Sequence, residues 1–169
     1  TLLKIDLDKK IILVTFHPVT LEKNNSKYQI QNLIKFLNNL NNKIIIITSS
    51  NFDNETNIIK KEFLKFRKKK ENVYYFNSLG NKVYLSLMKI SHIVIGNSSS
   101  GVLETPSFGT KTINIGNRQS GRIISENIIN CDYSFESITK AFFKIEKKAK
   151  KISNPFFKKD TQKKIAKKI

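Results

Sequence analysis

The sequence predicts an α/β fold in which a doubly wound parallel sheet is covered by helices on both faces. Short, uniformly apolar runs such as Ile11–Val14 and Ile44–Ile47 recur along the chain. Such runs are typical of strands that are buried on both faces, as they are in parallel sheets. The stretches between them space their apolar residues as amphipathic helices do. Strands that alternate with helices in this way indicate a parallel sheet.

Six strands are predicted from runs of three or four residues, which are entirely apolar in the first four strands and include threonine or asparagine in the last two. They are Ile11–Val14, Ile44–Ile47, Val73–Phe76, Ile93–Ile95, Thr112–Ile115 and the shorter Ile128–Cys131. Apolar residues three or four positions apart predict the helices. These are Gln29–Leu40, Ile58–Phe66, Val83–Ile90, Val102–Ser107, Phe135–Ile145 and a final helix from Phe156 to Ile169. Because Pro106 lacks a backbone donor, we expect the fourth of them to be short or to begin late.

Length and composition indicate one globular domain. The chain has 169 residues, of which 39% are apolar, so it can bury a core and is not a disordered chain. It contains no apolar run near the ~20 residues that a membrane helix needs, and we expect no membrane contact. It begins without methionine and leads directly into a strand, so we expect a piece of a longer protein. The single Cys131 fits a reducing, cytoplasmic setting, as a small buried residue or, alternatively, as a nucleophile.

The net charge of +18 is compatible with binding to nucleic acid, but its distribution favours another interpretation. Lysine supplies nearly all of the positive charge, and twelve lysines lie in Lys140–Ile169. We therefore expect solvated lysines and no nucleic-acid partner, with a basic nucleic-acid-binding α/β domain as the alternative. Only three arginines are present, and two of them, Arg118 and Arg122, lie four residues apart. Arginine in a lysine-rich chain indicates a need for planar, bidentate donors.

The residues that follow the predicted strands form the candidate site. The carboxyl ends of parallel strands meet at one edge of the sheet, where such folds bind ligands. We therefore expect the segments after the strands to gather there, and these are His17, Ser49–Asn51, Asn77–Gly80, Asn97–Ser100 and Gly116–Arg122.

Small hydroxyl residues after the fourth strand predict a phosphate site. Ser98, Ser99 and Ser100 stand between an apolar strand and a helix, where hydroxyls and backbone N–H groups converge and an anion can bind. The alternative is that one serine only caps the helix. Glu104, about one turn later, is either an acceptor for a ribose diol or an ordinary acid near a helix start. One of Arg118 and Arg122 would neutralise a diphosphate, and the other would fasten the loop to the domain.

The histidines and the absent motifs complete the residue-level prediction. His17 is either a ligand contact or a loop residue with a satisfied ring, whereas His92 begins a strand at the far edge and is expected to be structural. The sequence has no G-x-G-x-x-G after the first strand, no Walker lysine motif and no Cys/His cluster with metal-ligand spacing. It also has no evident pair of carboxylates for acid–base chemistry. We therefore expect a domain that holds a substrate and needs neither metal nor cofactor.

Several segments resemble the hydrolysing UDP-N-acetylglucosamine 2-epimerases. The most specific of them surround the serine run and the arginine turn, and the resemblance extends from about Ile11 to Phe143. The segments are Ile95–Glu104, Pro106–Gly109, Ile113–Arg122, Val14–Thr20 and Tyr84–Met88.

The resemblance implies a fold and a set of binding residues. It implies the C-terminal half of a two-domain fold like that of the B-type glycosyltransferases, with Rossmann-like halves around a cleft. On this basis residues 1–152 are the UDP-sugar-binding domain, and 153–169 are a basic C-terminal helix that packs back on the missing N-terminal half. By motif, His17 contacts the nucleotide, Ser98 and Ser99 bind the diphosphate, and Glu104 binds the ribose hydroxyls. Arg118 also binds UDP, and Asn51 is a weaker correspondence.

The resemblance also implies an activity. Family enzymes eliminate UDP from UDP-N-acetylglucosamine in the anti sense, then add water to the 2-acetamidoglucal and release N-acetylmannosamine for sialic acid synthesis. The carboxylates for that proton chemistry belong to the N-terminal half, so this chain alone is expected to have no turnover. We expect the full enzyme to be a homo-oligomer. A UDP-diacetamido-sugar 2-epimerase of the legionaminic acid route is the alternative, whereas the serine run disfavours non-hydrolysing epimerases.

Overall fold

One parallel sheet of six strands organises the part of the chain that the structure, a computed structural model, describes: residues 8–19, 25–49, 56–149, 152, 154–161 and 166. The strands are β1 (Lys10–Thr15), β2 (Lys43–Thr48), β3 (Val73–Phe76), β4 (Ile93–Gly96), β5 (Lys111–Ile115) and β6 (Ile128–Cys131). The helices are α1 (Ser26–Asn38), α2 (Thr56–Lys68), α3 (Gly80–Ile90), α4 (Ser100–Leu103), α5 (Thr105–Phe108) and α6 (Phe135–Glu146). The predicted doubly wound α/β fold is confirmed.

The strand order places a crevice between β1 and β4. The order is β3-β2-β1-β4-β5-β6, so the chain builds outward from β1 in one direction and then from β4 in the other. Ligands of such sheets bind at this reversal, beyond the carboxyl ends of the strands. Thr15 pairs with Gly96 there, as the last residues of β1 and β4.

Two apolar layers hold the sheet and explain why the interiors of β1, β2 and β4 are apolar throughout. Alternate residues of β1 face opposite sides, so that Ile12 and Val14 join the larger layer while Ile11 and Leu13 join the smaller one. The larger layer contains buried residues of α1, α2 and α6, and the smaller one contains those of α3. The sheet is thus covered on both faces, which leaves its carboxyl edge as the surface where polar loops collect.

The predicted helix Val102–Ser107 is in fact two helices of four residues each. α4 ends at Leu103 and α5 begins at Thr105, with Glu104 between them and Pro106 at the start of α5. Proline at the start of a helix loses no intrahelical hydrogen bond, so a second helix can begin there. The expected start of the last helix at Phe156 is wrong, because the backbone turns at 155–156 and 159–160 and is helical at 161.

The division of the chain into two parts stays a prediction. The proposed division into 1–152 and 153–169 rests on a segment of which residues 153, 162–165 and 167–169 lie outside the described ones. Within the described ranges, no helix has the length and apolar character that crossing a bilayer requires.

Candidate functional site

Asn97 joins three segments at the reversal of the sheet. Its side chain is fully buried; Oδ1 accepts the backbone N–H of His17 at 2.7 Å, and Nδ2 donates to the His17 carbonyl at 2.8 Å. The Asn97 carbonyl accepts Arg118 Nη1 at 3.1 Å and Gln119 Nε2 at 2.9 Å. The loop after β1, the loop after β4 and the turn after β5 are therefore fastened to one residue. We call this arrangement the Asn97 clamp.

The clamp brings together four of the six predicted site residues. His17 and Arg118 bind Asn97 directly, and Ser98 and Ser99 follow it in the chain. Because the Asn97 carbonyl belongs to the peptide that supplies the Ser98 N–H, the guanidinium lies one peptide group from the start of the serine run. A cation, hydroxyls and backbone donors thus converge on one small region.

The serine run does not serve as a helix cap. Ser99 occupies the N-cap position of α4, yet its side chain accepts no hydrogen bond there. The Ser98 and Ser100 hydroxyls instead bond to each other at 2.9 Å. The N–H groups of Gly101 and Val102 in the first turn of α4 already bond to the Ser98 and Ser99 carbonyls, so the backbone donors left for a ligand are those of the serine run itself. Because α4 has only four residues, its dipole contributes little, and individual donors must provide the attraction.

Arg118 and Gln119, rather than Arg122, fasten the turn after β5. One of the two arginines was expected to fasten this turn. Arg118 bonds to the Asn97 carbonyl and Gln119 adds a second bond, whereas the Arg122 side chain has no hydrogen bond to a described residue. Burial lowers the pKa of Arg118 from its usual high value, and the positive charge of Arg122 lowers it further. An anion would relieve this repulsion, which favours binding a negative ligand between the two guanidinium groups.

His17 is neutral in this setting. Burial lowers its pKa to about 4, and the positive charge of Arg118 acts in the same direction. A neutral imidazole can donate or accept a hydrogen bond at pH 7 and adds no charge to a site that already contains Arg118.

The pKa of His17 is therefore expected to lie near 4 in an NMR pH titration. The chain has two histidines, so His17→Gln identifies the His17 signal by removing it. Because folding lowers this pKa, its contribution to stability is present above pH ~6.5 and is lost as pH falls towards 4. The free energy of unfolding should fall more steeply over that range in the parent chain than in His17→Gln. Titration of His17 above pH 6 would contradict this description.

Glu104 and Asn51 are not part of the Asn97 clamp. Glu104 lies between α4 and α5, and its largely exposed carboxylate makes no hydrogen bond to a described residue. Partial burial raises its pKa. Although Glu104 is the N-cap residue of α5, its side chain does not cap that helix, so the carboxylate is open to an external donor. Asn51 lies outside the described residues.

The contacts of His92 and the burial of Cys131 indicate structural rather than catalytic roles. His92 Nε2 lies 2.7 Å from Glu146 Oε1 at the opposite edge of the sheet, as expected for a structural histidine. Burial outweighs Glu146 and lowers the pKa of His92, so we describe this contact as a hydrogen bond from neutral imidazole. Burial and Asp132 raise the pKa of the partly buried Cys131 to about 12, which keeps the thiol protonated and disfavours the nucleophile alternative.

Sequence reasoning missed the residues that organise the site. Asn97 enters the predicted site only as the first residue of Asn97–Ser100, although a polar amide directly after a buried strand is a signal for a side chain that bonds backbone groups. Tyr84 enters only through the segment Tyr84–Met88 that resembles the family, yet its hydroxyl lies 2.7 Å from Ser100 Oγ. In the described ranges no three His, Cys, Asp or Glu residues come together as metal ligands.

Comparison with known proteins identifies the family. The chain matches the family model described as UDP-N-acetylglucosamine 2-epimerase over residues 1–169. It is 43% identical over 148 residues to the GDP/UDP-N,N'-diacetylbacillosamine 2-epimerase (hydrolyzing) of Campylobacter jejuni, covering 86% of this chain and 38% of that protein. It is 36% identical over 159 residues to a polysialic acid biosynthesis protein of Escherichia coli, covering 89% and 40%. The chain therefore spans about two fifths of the length of these relatives.

Solved structures agree on the fold. The UDP-GlcNAc 2-epimerase of Neisseria meningitidis bound to UDP-GlcNAc superposes with a TM-score of 0.76 at 17% identity, covering 97% of this chain and 45% of that one. A heptosyltransferase of Escherichia coli with ADP gives 0.56 at 12% identity, covering 86% and 47%, in line with the predicted likeness to a B-type glycosyltransferase half. The family match and the relatives together show that this chain belongs to the hydrolysing UDP-N-acetylglucosamine 2-epimerase family.

Proposed function

We propose that this chain is the UDP-holding half of a hydrolysing UDP-sugar 2-epimerase. The observation that supports this most strongly is the Asn97 clamp, which fixes His17, the serine run and Arg118 around one point at the reversal of the sheet. A doubly wound sheet binds its ligand at that point. The hydroxyl, backbone N–H and guanidinium donors gathered there suit a diphosphate, and each charge-assisted hydrogen bond contributes ~1.5–3 kcal/mol to binding.

Each proposed contact follows from the chemistry of its side chain. Ser98 and Ser99 donate to the diphosphate with their hydroxyls and N–H groups, and Arg118 offers it a planar cation. Neutral His17 bonds to the nucleotide without adding charge. The open carboxylate of Glu104 accepts from both ribose hydroxyls. Asn51 remains the weakest of these proposals.

The role in catalysis is to stabilise the leaving group. In the proposed reaction a carboxylate of the other half removes a proton from the sugar, the bond from the anomeric carbon to the diphosphate oxygen breaks, and UDP departs. Negative charge grows on that oxygen, and fixed donors stabilise it most where water is excluded. Water then adds to the 2-acetamidoglucal to give N-acetylmannosamine. Because the proton-transferring carboxylates are assigned to the other half, the chain alone should bind UDP without turning over the UDP-sugar.

A second substrate is favoured by one specific observation. The relative at 43% identity is named for N,N'-diacetylbacillosamine, whereas the relative at 36% is named for polysialic acid. The UDP site is common to both possibilities, so the choice depends on how the sugar is recognised. Turnover by the complete protein should be compared for UDP-N-acetylglucosamine and the UDP-diacetamido sugar, and the larger kcat/KM identifies the substrate.

The assembly is also part of the proposal. This chain covers only 38% of the relative from Campylobacter jejuni. The proposed complete protein therefore has an N-terminal half as well, which closes the cleft. Phe157, which is 72% exposed, would be covered by that half or by another subunit. We propose a cytoplasmic homo-oligomer of the complete chain.

Substitution of Arg118 by lysine tests the UDP site. Calorimetric titration with UDP should show saturable binding to the parent chain, and Arg118→Lys should weaken it at least ~10-fold because lysine keeps the charge but loses the planar pair of donors. Glu104→Ala and Arg118→Ala should also weaken binding.

Arg67→Lys is the matched control for Arg118→Lys. It makes the same chemical change in the last turn of α2, at the opposite edge of the sheet, and should leave UDP affinity unchanged. Absence of saturable UDP binding to the folded parent chain would contradict the proposed function. Equal affinities for the parent and Arg118→Lys would contradict the role of Arg118.

A further inference from the structure

A continuous chain of five hydroxyl groups connects the sheet to the serine run. Thr48 Oγ1 lies 2.6 Å from Thr15 Oγ1, which lies 3.2 Å from the Tyr84 hydroxyl. The Tyr84 hydroxyl lies 2.7 Å from Ser100 Oγ, and Ser100 Oγ lies 2.9 Å from Ser98 Oγ. The two threonines are the last residues of β1 and β2, so this hydroxyl chain begins in the rigid sheet and ends at the candidate diphosphate site.

The number of protons links the orientation of the hydroxyl chain to what Ser98 can offer a ligand. Five hydroxyls carry five protons, and the four hydrogen bonds between them use four, so one proton is left to bond outside the chain. When every hydroxyl donates towards Ser98, the remaining proton is on Ser98 and faces the site. When every hydroxyl donates the other way, Ser98 presents only lone pairs, which repel an anion.

Tyr84 favours the direction that suits an anion. A phenol is a more acidic hydroxyl than the alcohols of serine and threonine, and it is the stronger donor of the three. Its shorter contact is with Ser100, not with Thr15. The ring is partly buried among apolar residues of α3 and β1, which fixes the position of the hydroxyl.

We propose that Tyr84 is a positioning residue, which donates to Ser100 and thereby keeps a proton on Ser98 directed at the diphosphate. This inference rests on the proposed UDP site. Tyr84 itself does not touch UDP; it acts through Ser100 and Ser98. Polarisation along such a chain strengthens each bond, so the last donor binds an anion more strongly than an isolated serine would.

The alternative is that the hydroxyls only satisfy one another. The bond between Thr15 and Thr48 leaves one proton of this buried pair in need of a partner, and Tyr84 satisfies it by accepting from Thr15. This role needs only the lone pairs of the phenol and leaves its proton free to bond elsewhere. Tyr84 and Ser100 are half-buried and can reach water. Hydrogen bonding among the hydroxyls alone therefore does not explain why the phenol is directed at the serine run. It also predicts that Tyr84→Phe does not change the preference for UDP over uridine.

Tyr84→Phe tests the proposal, because it removes one hydroxyl and keeps the packed ring. Affinities of the 169-residue chain for UDP and uridine are measured by calorimetry and by NMR titration. Tyr84→Phe should weaken UDP binding roughly five- to tenfold, a loss in the range of one hydrogen bond between neutral groups, with uridine unaffected. Tyr74→Phe is the matched control, since Tyr74 packs in the same apolar layer and its hydroxyl has no partner among the described residues. It should leave both affinities unchanged.

A double-mutant cycle with Ser100→Ala shows whether Tyr84 acts through Ser100. If it does, Tyr84→Phe adds no further loss of UDP affinity in the Ser100→Ala background. Additive losses, equal losses for UDP and uridine, or no loss in Tyr84→Phe would each overturn the inference and leave the UDP site intact. Failure of the folded parent chain to bind UDP would overturn the proposed function, and the inference with it.

Discussion

Replacing Gly96 with alanine is expected to destabilise the fold by about 3 kcal/mol or more and to abolish UDP binding. A Cβ at this position would lie 2.0 Å from the carbonyl oxygen of Thr15 and 2.8 Å from its carbonyl carbon. Both contacts are with the backbone of the paired strand, which cannot move aside as a flexible side chain can. The φ of 146° adds strain for any residue with a side chain. The ends of β1 and β4 would have to separate, and the crevice between them would change shape.

Gly80→Ala is the control for Gly96→Ala, because it introduces the strain of a positive φ without a steric clash. Gly80 also has a positive φ, of 65°, but a Cβ there would meet no atom within 4 Å. Its substitution should cost only about 1 kcal/mol, the usual price of a left-handed residue that carries a side chain. Urea denaturation gives both free energies of unfolding. Similar losses for the two alanines would show that β1 and β4 do not approach as closely as described.

Loss of the Asn97 side chain is expected to have the second largest effect. Asn97→Ala removes both bonds to His17 and leaves a backbone N–H and a carbonyl of His17 without these partners. Each unsatisfied buried group costs ~1–3 kcal/mol, so the free energy of unfolding should fall by about 2–4 kcal/mol. The loop after β1 would detach from the serine run. UDP affinity should then fall at least ~30-fold, as more than one contact to the ligand is lost.

Asn72→Ala is the matched control for Asn97→Ala. Its side chain also bonds a backbone carbonyl, that of Lys43 at 2.7 Å, but at the opposite edge of the sheet. It should lower stability modestly and leave UDP affinity unchanged. If Asn97→Ala does not fold, Asn97→Asp is the second variant: it keeps the acceptor for the His17 N–H, loses the donor to the His17 carbonyl and adds a buried negative charge, so it should lower both stability and UDP affinity. Wild-type UDP affinity in a folded Asn97 variant would show that the clamp does not organise the site.

The strands, the main helices and the edge that carries the site could be predicted because they depend on local patterns. A run such as Ile44–Ile47 has no polar position to face solvent, and its shortness and β-branched side chains favour a strand that is buried on both faces. α6 follows its apolar spacing, and the Ser134 hydroxyl caps it by accepting the N–H of Ser137. The carboxyl ends of parallel strands then share one edge by geometry alone.

The contacts within the site could not be predicted because they are not local. Asn97 binds a backbone 80 residues earlier, and no pattern near either residue encodes that pairing. The hydroxyl chain likewise joins Tyr84 to Thr15 across 69 residues. The prediction also gave too long a helix after the serine run, because apolar spacing does not show where a chain breaks and restarts at a proline. The sequence therefore predicts which residue types lie at the site, whereas the hydrogen bonds between them are seen only in the structure.

The proposed site requires Ser98, Ser99, His17 and Arg118 to bind one shared diphosphate. NMR signals followed during a UDP titration show whether they do. We expect the amide signals of Ser98, Ser99 and His17 and the side-chain signal of Arg118 to shift together, with one dissociation constant, and uridine to shift them much less. Two results would contradict this site. One is a set of shifts confined to the lysine-rich segment Lys140–Ile169. The other is UDP binding that moderate salt strongly weakens and that leaves the signals of Ser98 and Ser99 unshifted.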